Sequence, residues 1–191
     1  MAAPALRLVE PRAVVPGSER RLAIEHWLLA TLPRERHRAA RAEWSSCGVA
    51  MLPLGGLFAA VRIPGELVYA FTRTRDWRTV DPFLRETLAG PVICDPHNGG
   101  RYYALVPGGV PITWKEAAED WRVSDVEVLG RDTVLGVPSV DAVDFNEEAC
   151  ASYWSSPMSS AGELCAPLHV ARLIAACAHE ITGSPEAAPR P

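Results

Sequence analysis

The sequence predicts an α+β single domain: a mixed, mostly antiparallel sheet with flanking helices. Three observations predict it. Short apolar runs of strand length are joined by tight Gly- and Pro-bearing turns, which suits antiparallel pairing better than the long crossovers of a doubly wound sheet. Helical periodicity is concentrated near residues 19–44, 76–88 and 168–181, on either side of and between those runs. The chain has 191 residues, 48% of them apolar and 22% charged. A domain of that size buries roughly 70% of its unfolded surface, so it can fold without a metal or disulfide. The expected organisation is a flexible arm over residues 1–17, one domain over 18–182 and a disordered tail over 183–191.

Residues 1–16 hold Pro4, Pro11 and Pro16 and show no period. Ser18 reads as a helix N-cap, and residues 19–31 place Leu22, Ile24, Trp27, Leu28 and Leu29 on a broad apolar face. Pro33 ends that helix and opens a second over residues 34–44, which carries Arg34, Arg36, Arg38 and Arg41. Residues 49–54 and 57–63 read as a hairpin of buried strands divided by Gly55 and Gly56. Residues 66–71 suit either a third strand or a short helix. Residues 76–88 read as a helix stopped by Gly90, with its regular part opening at Pro82 and Asp81 as the cap. Residues 91–94 and 102–106 read as strands on either side of the turn-forming stretch Asp95-Pro96-His97-Asn98-Gly99-Gly100. One or two helical turns are expected at 114–121. Strands at 126–129 and 133–137 flank a turn at Gly130-Arg131-Asp132, and residues 141–156 read as an acidic loop with a short helix. Residues 168–181 form a closing helix that stops at Gly183.

Charge is unevenly distributed. Residues 1–43 carry eight Arg against five Glu, whereas residues 115–148 carry three basic side chains against ten acids. The chain as a whole has a net charge of −4, so it is not a basic nucleic-acid binder overall, although its N-terminal segment has that character. Lys115 is the only lysine, a bias that fits a GC-rich genome and reflects codon usage as much as function. No apolar run approaches the roughly 20 residues of a membrane span, and residues 1–17 lack the pattern of a signal peptide. The expected compartment is the cytoplasm. The five cysteines are irregularly spaced and are expected as small buried groups rather than as a disulfide framework.

No motif assembles a complete active site. Cys94 and His97, and Cys165 and His169, have thiol–imidazole spacing without a CxxC knuckle, so no metal site is assigned and no cofactor is expected. Cys94 and His97 also lack an orienting partner for nucleophilic catalysis. Asp125 and Glu127 alternate with Val126 and Val128, which would place both carboxylates on one face of a strand, as a solvent-facing acidic edge or as part of a metal or partner site. The arginines at 34, 36, 38 and 41 form a solvated helix face or a phosphate-facing one. There is no phosphate-binding glycine loop; the glycine pairs read as turns.

Two stretches carry a family resemblance. Residues 99–107 (GGRYYALVP), and residues 126–130 followed by 133–139 (VEVLG, TVLGVPS), resemble the bifunctional DNA primase/polymerase domain of high-GC bacteria and their mobile elements. The resemblance covers about a fifth of the chain and implies a degenerate member. In the region corresponding to the family's two metal-binding aspartates, residues 57–68, the only acid is Glu66, and Tyr102 stands where the family has its nucleotide-binding histidine. Only the third acid has a counterpart, Glu127. Nucleotidyl transfer uses two metal ions to align the reacting oxygens, and one glutamate cannot hold both.

The expected function is therefore that of a non-catalytic, degenerate primase/polymerase-like domain acting as a binding or interaction protein. Nucleic acid or phosphate would meet Arg34, Arg38, Arg41 and Arg101, and a basic protein partner would meet the acidic 116–148 segment. Two alternatives stay open. One is a metal-dependent nucleotide-processing enzyme with its site near Glu127, drawing on Asp125, His97, Asp95 and Arg101. The other is a regulatory or structural protein-interaction subunit.

Overall fold

The computed structural model of the protein describes residues 17–97 and 99–183. It is an α+β fold in which every strand pair is antiparallel. The expected arm and tail lie outside the described residues, apart from Gly17 and Gly183, each of which belongs to a helix.

Helix α1 (Gly17–Leu29) already contains Ser18, so Ser18 does not cap it. A 3-10 turn at Arg34–Arg36 leads into α2 (His37–Cys47), which Gly48 closes in the left-handed region. Strands β1 (Val49–Pro53) and β2 (Phe58–Pro64) follow, then α3 (Gly65–Thr72), which settles residues 66–71 as helix. Helix α4 spans Trp77–Leu88. Strands β3 (Val92–Asp95) and β4 (Arg101–Pro107) enclose the 96–100 turn. Two short helices, α5 (Val110–Thr113) and α6 (Lys115–Trp121), precede β5 (Glu127–Leu129) and β6 (Val134–Pro138). Strand β7 (Tyr153–Ser156) and helix α7 (Pro167–Gly183) complete the fold.

The sheets run β5-β2-β4-β3-β7 and β1-β6. The expected 49–63 hairpin is thus corrected: β1 pairs with β6, while β2 pairs with β4 and β5. Residues 49–53 pair antiparallel with 134–138, and residues 60–62 pair antiparallel with 127–129, so the same two segments meet in both sheets. Between the two ladders the Leu54 N–H donates to the Thr133 carbonyl at 2.9 Å. Gly55 has φ +84°, and a Cβ there would collide with the Arg131 backbone nitrogen. Gly55 therefore lets the backbone at Arg131 approach closely, while its own N–H donates to the Phe58 carbonyl at 2.7 Å.

Three more expectations are corrected. Helix α4 starts at Trp77 with Asp76 as its cap, the Asp76 carboxylate accepting from the Arg78 N–H at 3.1 Å. Pro82 lies inside the helix and removes one backbone donor, and Asp81 is a buried side chain rather than a cap. The 141–156 loop ends in a strand, β7, that is buried throughout. A strand covered on both faces has no alternation to read from sequence. Asp125 has φ 55° and precedes β5, so it is not on the strand with Glu127.

Two apolar clusters sandwich the five-stranded sheet. One face packs against α3, α4 and α7 through Leu67, Val68, Val80, Leu84, Leu88, Val170 and Leu173. The other meets α1, α2 and the β1–β6 ribbon through Ile24, Leu28, Trp44, Leu52 and Leu135. The second cover is partial. Ala60, Leu105, Ile93 and Leu129 lie beneath it, but the same face continues into Arg62, Tyr103, Arg101, Asp95 and Glu127.

Candidate functional site

Strand register gathers the sequence candidates onto that polar end of the sheet. Arg62 lies between Glu127 on β5 and Tyr103 on β4, while Arg101 pairs with Asp95 on β3. Arg62 Nη1 is 3.1 Å from Glu127 Oε2, and its Nη2 is 3.4 Å from Asp125 Oδ1. One half-buried guanidinium thus engages both acids, although Asp125 is not on the strand. Tyr103 sits beside this pair. Burial pushes its phenol up and the Asp95 carboxylate adds to the effect, while Arg101 and Arg62 pull the other way.

His97 forms a separate local unit. Its Nδ1 lies 2.8 Å from Asp95 Oδ1, and its backbone N–H donates to the same oxygen at 3.1 Å. Cys94 faces the opposite side of the sheet, buried in the α3/α4/α7 core, and burial pushes its thiol up to about 12. It is therefore not a thiolate poised against His97. Cys165 is buried in the same core, its Sγ donating to the Pro91 carbonyl at 3.4 Å. Among the described residues no group of three His, Cys, Asp or Glu side chains gathers as a metal site.

The N-terminal arginines divide into two sets. Arg41 Nε is 2.6 Å from Glu25 Oε1. Arg34, Arg36 and Arg38 are exposed and make no ion pair among the described residues. One contact joins the basic and acidic regions: Arg21 Nη1 lies 2.6 Å from Asp141 Oδ1 across an open groove of about 540 Å³.

No sequence motif marks a second concavity, which lies on the far face of the sheet. Tyr69 of α3, Trp77 of α4, Tyr102 of β4, Phe145 and Tyr153 of β7 surround about 210 Å³, with Arg75 at the rim and Gly99 and Gly100 in the wall. Gly100 has φ +83°, and a Cβ there would collide with the Tyr69 hydroxyl. Its carbonyl accepts from the Gly65 N–H at 2.9 Å, which ties the 96–100 turn to the start of α3. Behind Tyr153 lies Asp81, only 6% exposed, which accepts from Ser155 Oγ at 2.6 Å and from the Tyr153 hydroxyl at 3.1 Å. Desolvation holds the Asp81 carboxyl above the usual range, against the lowering effect of those two hydroxyls and of Arg85. These aromatics come from separate parts of the chain, so no local motif marked them.

No protein-family model, curated protein or solved structure matches this chain. Among the described residues no helix is long and apolar enough to cross a membrane.

Proposed function

We propose that the chain is a non-catalytic binding protein on a degenerate primase/polymerase-like scaffold, meeting nucleic acid through the arginine face of residues 34–38. The observation that carries the non-catalytic part is the engagement of Glu127 and Asp125 by Arg62. Two-metal phosphoryl transfer needs converging carboxylates free to ligate cations. Here the acid that the resemblance singles out already has a cationic partner, and its neighbour shares that partner. The burial of Tyr102, which takes the position of a nucleotide-binding histidine, supports the same reading.

The nucleic-acid part rests on Arg34, Arg36 and Arg38, three exposed cations in one short segment without acidic partners among the described residues. Phosphate contacts release counterions, so log K falls with log salt by about 0.9 per contact on duplex DNA. Binding of a labelled duplex is expected to weaken with a slope of about −2 to −3, and Arg34→Ala with Arg38→Ala to reduce that slope by about 2. Absent binding at low salt, or an unchanged slope in the double variant, removes the nucleic-acid reading. The non-catalytic reading has its own test. Manganese with a nucleoside triphosphate is expected to leave the thermal midpoint where either alone leaves it. A joint shift abolished by Glu127→Gln would restore the enzyme alternative.

A second reading, a protein partner at the acidic 116–148 segment, is favoured by two apolar side chains flanking α6. Ile112 is 79% and Val123 93% exposed.

A further inference from the structure

The 210 Å³ concavity on the α3/α4 side of the sheet lies away from the arginine face and from the Arg62 cluster, and its chemistry is different. Its walls are aromatic. Trp77 meets Phe145 edge-on at 6.3 Å, Phe145 meets Tyr153 at 5.5 Å, and Tyr69 meets Tyr102 edge-on at 6.2 Å. Rings tilted against one another in this way offer both faces and edges to a further ring. The size sets an upper limit. A cavity of roughly 150 Å³ in a protein core takes one benzene, so about 210 Å³ accommodates a single ring with a small substituent.

The polar groups narrow the choice. The Trp77 indole N–H is buried and has no acceptor among the described residues. That N–H is closed to solvent, so it belongs to the packing of the wall and is not a group that a molecule in the cavity would meet. Tyr69 accepts from the Tyr102 hydroxyl at 3.5 Å, and its own hydroxyl hydrogen has no acceptor among the described residues. The unused polar capacity of the lining is thus of the donor kind, and it asks for acceptors on a ligand.

Charge points the same way. Arg75 is the only cation among the lining residues. It stacks over Tyr69 at 5.4 Å and is held by both carboxylate oxygens of Glu66, at 2.7 and 2.9 Å. An anion would lose its hydration shell and find no free positive charge in the lining in return. A neutral molecule avoids that penalty.

We infer that this cavity is a binding site for a small, neutral, planar molecule of one ring that presents hydrogen-bond acceptors, of the aryl-amide or nitrogen-heteroaromatic class. Tyr69 donates to the acceptor edge, and Trp77, Phe145, Tyr102 and Tyr153 contact the ring.

Four probes of similar size test this by calorimetry and thermal midpoint on the full chain. Benzamide has both the ring and the acceptor. Toluene lacks the acceptor, cyclohexanecarboxamide lacks the planar ring, and benzoate adds charge. Benzamide is expected to bind at least about tenfold more tightly than each of the others. Tyr69→Phe is expected to reduce benzamide affinity by roughly fivefold to tenfold and to leave toluene unchanged. Trp77→Phe, which alters the wall but no donor open to the cavity, is expected to change benzamide and toluene affinity alike, and a benzamide-specific loss there with none in Tyr69→Phe would contradict the assigned donor. Toluene binding as tightly as benzamide would make the site a merely apolar hole. Tighter benzoate would make it an anion site, and equal binding of cyclohexanecarboxamide would remove the ring preference. Absence of any response to all four, at concentrations up to several millimolar, would remove the site itself. Each of these results overturns the inference.

Discussion

Asp81 and Glu127 lie on opposite sides of the five-stranded sheet and are stabilised by opposite means. Asp81 is 6% exposed and meets two hydroxyls, those of Ser155 and Tyr153, with Arg85 acting on it only through its field. Glu127 is 47% exposed at its side chain and shares Arg62 with Asp125, which is 82% exposed. The buried acid is satisfied by hydrogen bonds and held toward its neutral form by desolvation. The exposed acids are satisfied by a cation across the ladder. Burial raises the stakes of hydrogen bonding and exposure lowers the value of an ion pair, so the closed face of the sheet is rigidly specified and the open face tolerates change.

The largest expected effect tests the buried side of this comparison. Asp81→Ala leaves the Ser155 and Tyr153 hydroxyls without an acceptor, and a loss of about 2–4 kcal/mol is expected in urea denaturation. Asp81→Asn keeps an acceptor oxygen and should cost well under half as much. Equal losses in the two variants would mean that the site responds to volume rather than to hydrogen bonding.

A smaller effect concerns pH. Because the folded state holds the Asp81 proton more tightly than the unfolded chain, native Asp81 keeps its proton at pH values where the unfolded chain has lost it. Its contribution to stability is therefore full below the unfolded carboxylate value and declines as pH rises toward the raised folded value. The difference in stability between the native chain and Asp81→Asn, followed from pH 3 upward, isolates the Asp81 contribution; a flat difference would contradict the raised carboxyl.

The smallest effect lies on the open face. The Arg62–Glu127 pair is expected to couple by less than about 1 kcal/mol in a double-mutant cycle, and by less still in high salt. A coupling of several kcal/mol would mean that Arg62 anchors the sheet rather than neutralising its edge.

Much of the local structure was legible in the sequence. The periodicity of residues 168–181 and the glycine after them marked α7, and the Asp-Pro-His-Asn-Gly-Gly stretch marked the turn between β3 and β4. The extended segments around Gly55 and Gly130 were legible too, but their pairing was not. Gly55, read with Gly56 as a hairpin turn, instead lies where the distant Arg131 backbone comes close, and β1 pairs with β6. Strand β7 was missed because Tyr-Trp-Ser-Ser, buried on both faces, has no alternation. Of the candidate site, Glu127 and Asp125 were visible as charges, but Arg62, which engages both, was not. The aromatic cavity draws its lining from α3, α4, β3, β4, β7 and the segments between elements, and left no motif.

The sequence by itself determined the α+β class, the positions of most helices and extended runs, and the separation of a basic N-terminal segment from an acidic one. These follow from periodicity, turn chemistry and composition, which act over a few residues. Only the tertiary structure decided that β1 joins β6, that Asp81 faces two hydroxyls, and that Arg62 bridges two acids. Each of those is a choice among distant partners, made by which arrangement buries the most apolar surface while leaving the fewest polar groups without a bond.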